Sequence, residues 1–154
     1  MEPREQIQVL DSLKIDVDFA QHFLEDEADR TRGLWEKMEK EMIIPDYSIP
    51  SVIPVIRWLS GKAKTLYVVS RGYDKRVISL ILHSAYYLGE SFVRSNKTLS
   101  WDTDTTAFPE VKGWKFGIRM SPIMESYEIF GNLLTEKKPT GIIEKKVLSW
   151  LIKT

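Results

Sequence analysis

The chain has 154 residues, of which 43% are hydrophobic and 29% charged, and its formal net charge at pH 7 is zero. This length and composition predict a single globular domain spanning residues 1–154. The lack of cysteine excludes disulfides, thiolate metal sites and a cysteine nucleophile and favours a cytoplasmic protein. No apolar run approaches the length of a membrane span, so no membrane partner is expected.

The first third of the chain is acidic. Residues 1–46 hold 13 acidic and 6 basic residues, a net charge of −7, and residues 47–154 carry the compensating +7. From Asp16 to Met42, apolar residues recur at helical spacing and predict a long amphipathic helix. The predicted apolar stripe is Ala20, Leu24, Ala28, Trp35, Met38 and Met42.

Acidic residues on this helix fall mainly outside the apolar stripe. They predict an exposed face, which is either an ordinary solvated surface or a surface for a basic partner. The predicted partner-binding residues are Glu25, Asp26 and Asp29 on this helix, together with Asp102 and Asp104 further along the chain.

Prolines mark the connection after the helix. Pro45, Pro50 and Pro54 predict an irregular connector, because proline lacks the amide hydrogen that helix interiors and strands use. Pro54 is compatible with the first turn of a short helix that has Gly61 as its stop. The apolar run at residues 66–69 fits either a short strand or the lead into the next helix.

The rest of the chain predicts a mixed architecture. Apolar spacing from Asp74 to Leu88 predicts a deeply buried helix that ends at Gly89. The expected strands are Glu90–Arg94, Leu99–Thr103 and Trp114–Met120, and the expected closing helices are Pro122–Leu134 and Ile142–Ile152. The predicted fold class is therefore α+β, with N-terminal helices, a small antiparallel three-stranded meander and C-terminal helices.

Motifs for common cofactor and metal sites are missing from the sequence. None of the eight glycines forms a G-x-G pair or a phosphate-loop pattern. The two histidines, His22 and His83, are too far apart in sequence to form a helical zinc-binding pair. Asp102 and Asp104 begin like a calcium loop, but Gly113 stands where that loop requires a bidentate glutamate. No cofactor and no metal are expected.

One polar stripe on the central helix has the residue types of a catalytic site. Arg76, Ser79, His83 and Tyr87 lie along one side at helical spacing, and Glu90 extends the line. In a small hydrolase or transferase, His83 would act as general base, oriented by Glu90, and Arg76 would stabilise an anion. The alternative is a polar edge on a buried helix, because no nucleophile motif accompanies His83.

Basic residues around Tyr73 support a further hypothesis. Arg71, Lys75 and Arg76 surround this aromatic ring, a combination that can stack a base and neutralise phosphates. A charged helix amino terminus at the surface explains the same residues. Nucleic-acid binding is the less favoured interpretation because the chain has no net positive charge.

A short segment resembles a group of known proteins. It consists of Tyr86-Tyr87-Leu88-Gly89-Glu90, Phe92-Val93-Arg94 and Leu99-Ser100-Trp101. It is similar to small uncharacterised bacterial α+β domains in which a helix ends in a Leu-Gly-Glu turn and a tryptophan follows in a strand. Some of those domains resemble immunity proteins that neutralise toxins of interbacterial competition systems. The resemblance implies a protein-binding module that occludes the active site of a partner toxin without catalysis, and this is the leading prediction.

Overall fold

Helices make up most of the described protein. The computed structural model describes residues 17–104, 108–135 and 141–154. Within these ranges the elements are α1 (Val17–Lys40), α2 (Ile49–Ser70), α3 (Lys75–Ser95), β1 (Ser100–Asp102), β2 (Glu110–Lys112), α4 (Pro122–Thr135) and α5 (Ile142–Leu151). The predicted α+β class with a three-stranded meander is therefore wrong. The described fold is mainly helical and carries one two-stranded antiparallel sheet.

Helix α3 lies at the centre of the fold and packs against α1, α2 and α4. Every residue from Ile81 to Gly89 is buried. The helix begins where the sequence predicts, because the Asp74 carboxylate accepts hydrogen bonds from the backbone N–H groups of Arg76 and Val77, each at 3.0 Å. These bonds satisfy two of the amides that a helix start leaves without partners.

Gly89 lies inside α3 instead of ending it. A Cβ atom here would lie 2.3 Å from Cη2 of the Trp101 indole and 3.0 Å from Cγ of Pro122, so only glycine allows the indole to lie against the helix. The predicted strand Glu90–Arg94 is consequently the last part of α3. A close tertiary contact, and not a helix stop, accounts for the glycine.

The predicted strand Trp114–Met120 is replaced by irregular structure. The β1–β2 ladder pairs Trp101 with Val111, and the chain then leaves the sheet at Gly113, whose φ is +104°. A tight turn follows at Lys115–Gly117, closed by a hydrogen bond from the Ile118 N–H to the Lys115 carbonyl at 3.3 Å, and only Met120 returns to form a single bridge with Val111. The alternation of apolar and polar residues in this segment therefore does not correspond to a β-strand.

Helix α2 is much longer than predicted. It begins at Ile49, contains Pro54 and Gly61, and continues to Ser70, so the strand alternative for residues 66–69 is also wrong. Pro54 is exposed, and water can therefore satisfy the carbonyl that lacks its amide partner. Burial of Val55, Leu59 and other residues on the opposite side stabilises the helix across Gly61.

Helix α1 follows its predicted bounds closely, and Leu24, Ala28, Trp35 and Met38 of the predicted stripe pack against the core, although Leu24, Ala28 and Trp35 are only partly buried and Ala20 lies outside the described side chains. Among the described side chains of α1, those of Phe23, Glu27, Thr31 and Met38 are fully buried, whereas Met42 lies beyond the helix and is 92% exposed. Helices α4 and α5 agree with prediction to within one residue at each end. None of the described helices combines the length and apolar character needed to cross a bilayer.

Candidate binding groove

A groove opens between the end of α1, the middle of α2 and the first turns of α3. Its volume is about 760 Å³. The floor is apolar and is formed by Leu34, Trp58, Leu66 and Leu80. Such a concave apolar surface, with polar groups confined to its edge, is typical of ligand sites and of grooves that receive a partner helix.

Basic side chains line the rim of the groove on all three helices. They are Lys37 and Lys40 of α1, Lys62 of α2, and Lys75 and Arg76 of α3. We call this set the cationic rim. Among the described residues, no carboxylate lies within ion-pair distance of Lys37, Lys40 or Lys75. Arg76 is partly neutralised, because its Nη2 lies 2.9 Å from Oδ2 of Asp74.

Trp58 is held in position at the floor by polar partners. Its indole N–H donates a hydrogen bond to Glu41, the one acidic residue among the described groove-lining residues. The ammonium group of Lys62 lies 5.1 Å from the centroid of the indole ring, a cation–π distance. A fixed aromatic ring in a concave surface is the kind of anchor that dominates binding energy.

The predicted partner-binding acids lie away from the groove-lining set. Glu25, Asp26 and Asp29 are exposed on the first half of α1, and Asp29 forms an ion pair with Arg32. The ring centroids of Phe23 and Trp101 are 6.1 Å apart, which places β1 beside this half of the helix.

The other two predicted acids follow at the end of β1. A hydrogen bond from Arg119 lowers the pKa of Asp102, and the backbone N–H of Asp104 donates a further bond to the same carboxylate at 3.0 Å. The acidic surface is therefore an exposed helix face and a strand end whose charges are partly neutralised.

The three candidate catalytic residues do not converge. Arg76 contacts Asp74, His83 contacts Glu27, and the carboxylate of Glu90 accepts hydrogen bonds from Trp101 Nε1 at 2.8 Å and from Arg94 Nε at 2.9 Å. Successive members are seven residues apart on α3, so each step separates them by about 10 Å along the helix axis.

The contact between His83 and Glu27 is a feature that sequence reasoning missed. His83 Nδ1 lies 2.7 Å from Glu27 Oε2, both side chains are buried, and Arg30 Nη1 lies 2.9 Å from the other carboxylate oxygen. Glu27 is four residues from both Phe23 and Thr31, which are buried on the same face. That spacing is the signal that could have separated Glu27 from its exposed acidic neighbours.

The basic cluster around Tyr73 divides between two places. Lys75 and Arg76 belong to the cationic rim, and Arg71 is exposed at the end of α2. The Tyr73 ring is half-buried and packs edge-on against Tyr67, with a centroid distance of 5.4 Å. Its ring is thus engaged within the fold instead of being presented as a stacking platform.

Comparison with known proteins gives no match. No family model matches the chain, and no curated protein or solved structure matches it at a significant level. Leu88, Gly89 and Glu90 lie inside α3, so the turn expected from the bacterial immunity-type resemblance is not formed. Among the described residues, no three His, Cys, Asp or Glu side chains are grouped in a way that could hold a metal ion.

Proposed function

We propose that this protein is a protein-binding module whose groove receives an acidic, amphipathic segment of a partner. The observation that carries the proposal is the combination of an apolar floor with basic residues on all three walls. A partner helix with apolar side chains at i, i+3 or i+4, and i+7 would bury them on Trp58 and Leu66. Its acidic side chains would then face the cationic rim.

The distribution of charge favours a protein segment over a ligand with a single anionic head. The basic residues come from three helices instead of clustering at one end, so one carboxylate would face only part of the rim. A segment with several acidic residues complements all three walls. An immunity-type inhibitor is one form of this proposal, in which the bound segment borders the active site of a toxin.

A designed peptide pair tests the proposal. The probe is a fluorescein-labelled 16-residue amphipathic peptide with a leucine stripe and glutamate elsewhere, and the comparison peptide carries lysine in place of glutamate. Fluorescence anisotropy is expected to show binding of the acidic peptide alone, weakening as salt is raised. Substitution of both Lys37→Ala and Lys40→Ala should weaken binding by roughly tenfold.

A matched control distinguishes the groove from surface charge in general. Lys97 is exposed just beyond the end of α3, outside the groove-lining set, and Lys97→Ala removes the same type of charge. This variant should bind the acidic peptide like the wild type. The proposal fails if both peptides bind equally, or if Lys97→Ala and the Lys37/Lys40 variant lose the same affinity.

A further inference from the structure

The turn at Lys115–Gly117 presents an aromatic side chain to solvent. Phe116 is 95% exposed, and its backbone lies in the left-handed region, with φ at +62°. A bulky L-residue rarely adopts this conformation, and strained positions of this kind cluster at functional sites. Both its exposure and its backbone conformation are therefore unusual for a phenylalanine.

Well-packed neighbours hold this turn in place. The backbone N–H of Lys115 donates to the carbonyl of Lys153 at 3.0 Å, which ties the turn to the end of α5. The preceding residue, Trp114, is buried, and its ring centroid lies 4.7 Å from that of Trp150 and 5.3 Å from that of Phe92. The Phe116 side chain thus extends from a turn whose position is fixed by these backbone and ring contacts.

Exposed apolar and basic residues surround Phe116. We define the Phe116 surface as Lys112, Lys115, Phe116, Ile118 and Ile152. Ile152 is 70% exposed and adjoins the Lys153 carbonyl that bonds to the turn. Of the three basic residues in 111–120, Arg119 is paired with Asp102 and Glu110, which leaves Lys112 and Lys115. Among the described residues, neither Lys112 nor Lys115 has a carboxylate within ion-pair distance.

We propose that the Phe116 surface docks on a membrane that contains anionic lipids. Phe116 and the two isoleucines would enter the boundary between headgroups and acyl chains, and the two lysines would lie among anionic headgroups. A deformable bilayer surrounds a projecting ring without a preformed pocket. Pairing with a second copy is disfavoured, because two such surfaces face to face would oppose their lysines. This contact would be peripheral and needs no membrane-spanning helix.

Vesicle co-sedimentation of the full chain tests this proposal. The probes are vesicles of phosphatidylcholine alone and vesicles in which about 30% of the lipid is phosphatidylserine. The wild type is expected to bind the anionic vesicles and to be released by salt. Phe116→Gly suits the positive φ and removes the ring, so partitioning should fall by roughly tenfold or more.

Control variants distinguish vesicle binding through the Phe116 surface from nonspecific hydrophobic adsorption and from binding through the groove. Val69→Ala shortens another exposed apolar side chain, which is 75% exposed on α2, and should leave vesicle binding unchanged. The Lys37→Ala, Lys40→Ala variant should also bind vesicles normally, whereas Lys112→Ala with Lys115→Ala should lose the preference for anionic lipid. Absence of vesicle binding by the wild type, or wild-type binding by Phe116→Gly with unchanged circular dichroism, would overturn the proposal.

Discussion

Gly61 and Gly89 are both inside helices but have opposite surroundings. No atom lies within 4 Å of a Cβ built at Gly61, whereas one built at Gly89 would overlap the Trp101 indole. The indole cannot easily yield, because its N–H is bonded to Glu90 and its ring stacks on Tyr86. Helix propensity should therefore decide the effect of substitution at Gly61, and packing should decide it at Gly89.

Alanine at these two positions should change stability in opposite directions. Gly61→Ala should raise the free energy of unfolding by about 0.5 to 1 kcal/mol, because it reduces the backbone entropy lost on folding. Gly89→Ala should lower it by about 1 to 3 kcal/mol through overpacking. Urea unfolding of the two variants measures both effects, and a stabilising Gly89→Ala would show that Trp101 is not held against α3.

The buried contact of Glu27 with His83 joins α1 to the central helix. Removing one partner of a buried polar contact leaves the other group without compensation, which costs more than losing an exposed contact. His83→Ala leaves the Glu27 carboxylate buried with only Arg30 in ion-pair contact among the described residues. We therefore expect this contact between α1 and α3 to contribute to the free energy of unfolding.

His83→Ala should lower the free energy of unfolding by about 2 to 3 kcal/mol, because it leaves the buried Glu27 carboxylate without one of its contacts. Glu27→Gln keeps a polar side chain of the same size and should cost about 1 kcal/mol. Asp26→Asn, at an exposed neighbouring position, should stay within about 0.5 kcal/mol of the wild type. Chemical denaturation at pH 7 checks this order, and a His83→Ala variant as stable as Asp26→Asn would contradict it.

At the level of elements, the start of α3 depends on one carboxylate. Hydrogen bonds from the Val77 backbone N–H and from Arg76 lower the pKa of Asp74 below its ordinary value of 3.8. A depressed pKa in the folded state means that the stabilisation is complete above 3.8 and is lost as the pH falls through the lowered value. The amino-terminal end of α3, which borders the groove, should be sensitive to acid for this reason.

Asp74→Ala should therefore be less stable than the wild type at pH 7, with a difference that shrinks as the pH falls below 3.8 and through the lowered pKa of Asp74. Asp74→Asn keeps an oxygen acceptor but does not titrate, so its stability relative to the wild type should rise as the pH falls. Thermal unfolding followed by circular dichroism across this pH range measures both differences. A gap between wild type and Asp74→Ala that stays constant as the pH is lowered from 7 to well below 3.8 would rule out the capping role.

The small sheet also depends on a charge contact between elements. Asp102 and Glu110 are directly opposite each other across the β1–β2 ladder, where two like charges repel. Arg119 bonds to both carboxylates, with Nε at 3.1 Å from Glu110 Oε1. Asp102, one of the predicted partner-binding residues, therefore also contributes to the sheet region through Arg119.

Across the whole molecule, sequence periodicity located the helices better than the sheet. It predicted α1, α4, α5 and the start of α3, because one-sided burial gives these helices a regular apolar spacing. It failed at Gly61, where burial along the rest of α2 outweighs the low helix propensity of glycine. It also failed at Gly89 and at residues 114–120, where tertiary contacts outweigh the local sequence preference. The alternation around Phe116 was misleading because that side chain is exposed.

The groove could not be predicted from the sequence, for a related reason. Each lysine of the cationic rim is an ordinary exposed residue in its own helix, and only the packing of three helices brings them around one apolar floor. Of the residues singled out from the sequence, Lys75 and Arg76 belong to this rim. The sequence predicts an exposed acidic face on α1, and Glu25, Asp26 and Asp29 are exposed there. It did not indicate that Glu27, between them, is buried.

The order of charges along α1 has a consequence for how partners arrive. Residues 17–29 contain five acidic and no basic residues, whereas residues 30–40 contain four basic and two acidic ones. Helix α1 therefore has a negative first half and a positive second half, and Lys37 and Lys40 of the cationic rim lie in the positive half. This division would favour the approach of an anionic partner from the groove side of α1 over approach from its acidic half, so more collisions would be productive.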